Sequence, residues 1–259
     1  MINFIKNLID LKENHEMLGI KLEFEDEGTS FEEAAFLNEI RQKADTDLII
    51  KIGGCGAIND IRQAQKLNAD YIVAPMIESA YALQKFTNSI NAVYQKKTPK
   101  LILNIETITG INAIYDILSS KEIEHISGFT IGRHDLANSI GLTSYDIDKP
   151  EVFNLTKEAA IKIATTNKPL TIGGYINKKS LQLLKEIPYV TQVETRKILF
   201  NANKLIKEND TLALKKALEL ELAYIYLRQE HLGINNKKDV MRIINIEKRL
   251  KEFQTPVSI

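Results

Sequence analysis

The chain has 259 residues, 34 of them basic and 34 acidic, so its formal net charge at pH 7 is zero. No long-range field draws it to nucleic acid or to an anionic membrane, and its length suffices for one large α/β core or two smaller domains. The single cysteine, Cys55, excludes an internal disulfide and a cysteine-based metal centre, and points to a reducing, cytoplasmic setting.

Residues 2–16 carry apolar side chains at helical spacing, interrupted by Lys6, Asp10, Lys12 and Glu13; this is not the uncharged core expected of a secretion signal. No later stretch reaches the roughly 18 uncharged apolar residues that span a bilayer. From about residue 20 to 200, short β-branched runs alternate with amphipathic segments. The expected strands are IKLEFE (20–25), DLIIKI (47–52), YIVAPM (71–76), KLILNIE (100–106), GFTIG (128–132), LTIGG (170–174) and TQVETRKILF (191–200). Helices are expected over 31–43, 57–68, 79–94, 109–119, 151–166 and 178–186. Short apolar runs separated by helices read as buried parallel strands in βαβ units.

Seven such strands favour an α/β barrel of the (β/α)8, TIM type over an open sheet, although periodicity alone does not reveal closure. No eighth strand is readable, and the helix over 2–16 either plugs or flanks the barrel. From residue 203 the pattern is wholly helical, broken at Gly233, Asn235 and Asn236. The expected organisation is a barrel over 1–202 and C-terminal helices over 203–259 that pack on the barrel or on a neighbouring subunit.

Two apolar runs end on an acid, Glu106 after LILNI and Asp135 after FTIGRH. A carboxylate at the end of a core strand is costly unless neutralised. Adjacent parallel strands bring both acids to one rim, where α/β proteins bind ligands. A shared divalent cation neutralises both; hard oxygen donors suit Mg²⁺ or Mn²⁺, with water and substrate oxygens completing the shell. A 2-oxo acid chelates such an ion, which then stabilises an enolate as a Lewis acid. Asp135 alone has a second explanation, as cap of a helix starting near Leu136. His134 is directed by strand alternation away from the side that Asp135 faces.

Other rim residues add charge and close backbone approach. Lys51, facing either the interior or the helix layer, is a candidate cation for a bound acid; Arg133 and Arg196 are alternatives, since Arg grips carboxylates bidentately. A structural ion pair explains each equally well. Gly53–Gly54 and Gly173–Gly174 follow strands and let N–H groups approach an anion, though tight turns explain them too and neither belongs to a phosphate fingerprint. Glu23, Glu25, Asp26 and Glu27 cluster at the end of the first strand. Cys55 has no His or Asn placed to activate it, so a packing role is expected.

The segments ADYIVAPMIESAYAL, LILNIETITGI and GFTIGRHDLANSIGL, in this order, resemble the HpcH/HpaI family of class II pyruvate aldolases and citrate lyase β-subunits. The resemblance implies a modified (β/α)8 barrel, a trimer or hexamer with an exchanged C-terminal helix, and metal-dependent C–C chemistry beside a carbonyl. It assigns the metal to Glu106 and Asp135. The family's substrate-binding Arg is matched by Lys51, its Gln two residues before the metal Glu by Asn104, and the aldolases' His after the first strand has no counterpart among Glu23, Glu25, Asp26 and Glu27. The expected function is a Mg²⁺-dependent lyase or aldolase acting on a pyruvate- or oxaloacetate-like 2-oxo acid or an acyl thioester. Lys51, with Arg133 or Arg196, would then hold the substrate anion, Gly53, Gly54, Asn104, Gly173 and Gly174 would line its site, and an acid from Glu25 to Glu27 or metal-bound water would carry protons. The alternatives are a metabolite-binding barrel without turnover and a phosphate-ligand isomerase built on Gly173–Gly174.

Overall fold

Runs rich in Ile, Leu and Val become short strands buried on both faces, as a parallel sheet wrapped in helices requires. The computed structural model describes residues 1–95, 97–143 and 145–253. Helix α1 (Ile2–His15) precedes β1 (Met17–Glu23), followed by α2 (Phe31–Lys43), β2 (Asp47–Lys51), α3 (Ile58–Lys66), β3 (Tyr71–Ala74), α4 (Ala80–Val93) and β4 (Lys100–Ile105). Then come the short α5 (Ile108–Asn112) and α6 (Ile114–Leu118), β5 (Gly128–Gly132), α7 (Arg133–Ser139), α8 (Pro150–Ala164), β6 (Leu170–Gly173) and α9 (Lys178–Leu184). The chain ends with β7 (Gln192–Glu194), β8 (Ile198–Asn201), α10 (Thr211–Leu232) and α11 (Lys237–Glu252).

The eight strands close into a barrel in chain order. Strands β1 to β7 are parallel neighbours, while β8 runs antiparallel to both β7 and β1. The eighth strand therefore begins inside the segment 191–200, which reads as one strand in the sequence, and ends at Asn201. Thr195, Arg196 and Lys197 form the turn without any Gly, Pro or Asn. Thr195 donates its N–H to the Ile198 carbonyl (2.8 Å) and its hydroxyl accepts from the Ile198 N–H (3.1 Å), which ties the hairpin.

Strand alternation sorts side chains between two cores. Leu48, Ile50, Leu103, Ile105, Ile131 and Ile172 join the large core beneath the helices. Ile49, Tyr71, Val73, Ile102 and Leu199 form a separate apolar cluster, and the next residues along the same strand faces, Lys51 and Asn104, reach a cavity at the barrel mouth. Apolar packing thus fills one end of the barrel and leaves the other to charge.

The N-terminal helix flanks the barrel, with Phe4 packed on Tyr224 of α10 (ring centroids 6.2 Å apart). Helix α11 lies over the chain's own barrel mouth, held by a chain of polar contacts. Asn236 and Asp239 form a capping box at its start, and Arg228 of α10 pairs with Asp239 and with Glu33 of α2 (2.8 Å). Arg242 spans Glu221 (2.8 Å) and Glu27 (3.0 Å), and Lys238 reaches Asp26 (3.4 Å). Among the described residues, no helix is long and apolar enough to cross a membrane.

Candidate active site

A cavity of about 690 Å³ lies between the carboxyl ends of the strands and α11, the place where parallel barrels carry their sites. Lys21, Glu23, Lys51, Asn104, Glu106 and Glu194 line its barrel side, and Lys238, Met241, Arg242, Asn245, Ile246 and Arg249 line the α11 side.

Glu106 is its most buried carboxylate, 2% exposed. Strand β4 ends one residue earlier, and alternation continues through Asn104 to bring Glu106 to the same face. Its Oε2 accepts from Asn104 Nδ2 (2.6 Å) and lies 3.3 Å from Lys51 Nζ, while its Oε1 accepts from the Met76 N–H (3.0 Å). Met76 adopts φ 50°, a left-handed conformation unusual outside glycine. Burial, followed by the neighbouring Asp135 and Glu25 carboxylates, outweighs Lys51 and the Met76 N–H and pushes Glu106 up to about 7. Gly132 makes this packing possible, because a Cβ there would sit 2.8 Å from Glu106 Oε2.

Lys51 faces inward, which decides between its two expected orientations. It pairs with Glu25 (2.8 Å) as well as Glu106. Burial works against its charge, but Glu106 and Glu23 prevail over that and over Lys21, and they hold its pKa above the usual lysine value. Lys51 is a fixed cation, not a base.

Asp135 also lines the cavity, from a different local structure than the sequence implied. Strand β5 stops at Gly132, and Asp135 occupies the first turn of α7 without capping it. Helical geometry replaces strand alternation over 133–135, so His134 lines the cavity beside Asp135 instead of turning away. The Asp135 carboxylate has no hydrogen bond or ion pair among the described residues.

These residues fit a hard divalent cation. Glu106 lacks enough positive charge to ionise normally, and among the described residues Asp135 is unpaired and the buried Asn104 Oδ1 has no hydrogen-bond partner. Among the described residues, no group of three or more His, Cys, Asp or Glu is placed for a metal, so water and substrate would fill most of the shell, as Mg²⁺ prefers.

The family model of HpcH/HpaI aldolase/citrate lyase matches residues 35–176, more than half of the chain. The chain belongs to the HpcH/HpaI family. Similar solved structures agree in fold. An HpcH/HpaI aldolase from Desulfitobacterium hafniense DCB-2 is 11% identical with a TM-score of 0.59, over 81% of this chain and 86% of that one. The citrate synthase SbnG is 14% identical with a TM-score of 0.57, over 83% and 89%. RipC from Yersinia pestis is 20% identical with a TM-score of 0.51, over 68% and 80%. No curated protein sequence matches the chain.

In this HpcH/HpaI barrel several expected residues stand elsewhere. Arg133 is 2% exposed and points away from the cavity. Its guanidinium serves Asp148 (3.0 Å), the carbonyls of Gly173 (3.3 Å) and Gly174 (3.0 Å), and the Ser180 hydroxyl (3.2 Å), so it braces the β5 and β6 ends and offers a substrate nothing. Gly53 and Gly54 lie outside the cavity, and the Gly53 N–H is taken by Asp60 (2.7 Å). Gly174 lines the cavity at φ +87°, where a Cβ would meet the His134 nitrogen at 2.5 Å; the corresponding space at Gly173 is filled by Glu194, 2.7 Å away. A carboxylate there opposes a phosphate, which removes the basis for the isomerase alternative.

Arg196 lines the cavity, but its charge is committed to Asp26 (2.7 Å) and Glu27 (2.9 Å). Glu27 is buried among Lys197, Arg242 and Arg196, and these cations hold its pKa far below the carboxylate range despite burial. It cannot carry protons, whereas Glu25 lines the cavity. Cys55 packs against the core. The sequence reading missed Lys21, which pairs with Glu194 (2.8 Å) and Glu23 (3.0 Å). Alternation from Lys21 to Glu23 was the available signal.

Proposed function

We propose that the chain is a divalent-metal-dependent carbon–carbon lyase of the aldolase type, acting on a small 2-oxo acid or an acyl thioester. One observation carries this reading: Glu106 is buried beside Asp135 with its pKa raised to about 7, and destabilised charges of this kind gather at working sites. Glu106 and Asp135 would hold Mg²⁺ or Mn²⁺. When bound, the ion supplies Lewis-acid polarisation of the substrate's carbonyl. Asn104 orients Glu106 through its Nδ2 donor. Lys51 Nζ meets the substrate carboxylate as a point charge, where an Arg would grip with two donors. Glu25, 2.8 Å from Lys51, takes or returns the proton at the substrate's reacting carbon. The wall of α11 limits water.

The tie between Lys51 and Glu25 favours one other reading, a metabolite-binding barrel without turnover. Pyruvate release from oxaloacetate and from 4-hydroxy-2-oxo acids separates the two. Release above the protein-free rate, lost on chelation with EDTA and restored by Mn²⁺, is expected of a lyase. Oxalate binding with no release from any of these substrates supports the second reading.

A further inference from the structure

Besides His134, six cationic side chains line the cavity, and five of them have carboxylate partners. Lys21 pairs with Glu194, Lys51 with Glu25, Arg196 with Asp26, Lys238 with Asp26, and Arg242 with Glu221. Arg249 of α11 differs. It has no ion-pair partner among the described residues, and it is held by neutral groups alone: it donates to the Ile176 carbonyl (2.7 Å) and its guanidinium lies 4.3 Å from the centroid of the Tyr175 ring.

That arrangement fixes the direction of the guanidinium without cancelling its charge. Stacking and a single carbonyl leave donors of the planar fork open for a bidentate anion. The backbone contributes to the setting, since Tyr175 follows Gly174 in a left-handed conformation, φ 52°. Tyr145 meets the Tyr175 ring edge-on with centroids 6.2 Å apart. A basic residue in the last turn of a helix gains from the helix dipole, but Lys251 occupies that turn as well, and the dipole does not call for an arginine clamped on an aromatic ring. Arg249 also borders an adjoining recess of about 170 Å³ with Asn177, Lys248 and Glu252, whose carboxylate forms no ion pair with Arg249. The main cavity is in the range of roughly 300–1,000 Å³ that holds drug-sized ligands, well beyond the needs of a three-carbon acid.

We infer that Arg249 selects the half of the substrate away from Glu106 by gripping an anionic tail, a carboxylate or a phosphate. The assignment rests on the cavity being an oxo-acid site. It makes α11 a specificity element, with the barrel holding the oxo-acid end and the helix reading the other.

The test is calorimetric titration of the full chain with Mn²⁺ present, using four probes. Oxalate reports the inner site alone; 2-oxoglutarate, its 5-methyl ester and 2-oxo-4-phosphonobutanoate report a carboxylate, an uncharged and a phosphonate tail. The wild type should favour a charged tail over the ester by about 10- to 100-fold, the range of a hydrogen bond between charged groups, and the preferred tail identifies the anion. Arg249→Ala should lose that preference while binding oxalate within about twofold, and Arg249→Lys should be intermediate. Arg249→Met, which retains the stem on Tyr175, should match Arg249→Ala, excluding collapse of α11 as the cause. A preference unchanged in Arg249→Ala, absent in the wild type, or lost together with oxalate binding overturns the assignment. Failure of the wild type to bind oxalate overturns the oxo-acid reading itself and the Arg249 assignment with it.

Discussion

Glu106→Gln is expected to lower Mn²⁺ affinity by about 100-fold or more, at or beyond the upper end of what loss of an outer-shell partner costs a metal site. The same substitution should make the metal-free protein more stable at pH 8. Two effects compete there. Removing one member of a buried ion pair normally destabilises, but Lys51 keeps Glu25 at 2.8 Å. The raised pKa of Glu106, about 7 against an ordinary 4.5, shows that its surroundings disfavour the charge even with Lys51 in place. A raised folded-state pKa contributes stability that is complete below about pH 4.5 and is lost as pH rises through 7. At pH 8 the carboxylate therefore burdens the fold, and an amide does not. Metal binding needs the ionised form, so Mn²⁺ affinity should fall about tenfold per pH unit below 7. Calorimetry and thermal melts at pH 5 and 8 read these effects. Equal Mn²⁺ affinity in the two proteins would remove Glu106 from any metal site, and a Glu106→Gln protein less stable at pH 8 would show that its pairing with Lys51 dominates.

Glu27→Gln should have the largest cost to stability. The Glu27 side chain is 2% exposed and contacts Lys197, Arg196 (2.9 Å) and Arg242 (3.0 Å). Without it, Lys197, whose side chain is 1% exposed, becomes an uncompensated buried cation, and the β7–β8 turn loses its link through Glu27 to Arg242 of α11. Breaking a buried pair in this way costs about 3–5 kcal/mol, a fall in Tm of roughly 10 °C for a chain of this size. Because cations depress the Glu27 pKa, its contribution holds above the ordinary carboxylate value and is lost as pH drops through the depressed one. The difference between wild type and variant should therefore shrink in strong acid. Urea unfolding at pH 7 measures it, and a loss below about 1 kcal/mol would show that the cluster is not a structural post.

Much of this was legible in the sequence because it followed from period and composition. The segment GFTIG forms β5 within the expected residues, 128–132, and the acids that end two neighbouring runs reach one cavity. Local signals failed where distant charges decided the outcome. The hairpin inside 191–200 has no turn residue of the usual kind; its only signal is four successive polar residues, Glu194 to Arg196 and Lys197, and its geometry depends on Glu27, some 170 positions away. Arg133 resembled a substrate cation, yet Asp148, fifteen residues later, takes it into the wall. The position of α11 depends on Arg228, Glu221 and Asp26, so a helical pattern identified the helix but not the cavity it covers.

The most direct measurement is exchange of pyruvate methyl protons for deuterium, followed by NMR in D₂O with Mg²⁺. Enolisation at a site built on Glu106 and Asp135 requires the wild type to exchange these protons, with the signal lost on chelation and in Glu106→Gln. A wild-type protein that binds Mg²⁺ and oxalate yet exchanges no protons would contradict the lyase assignment.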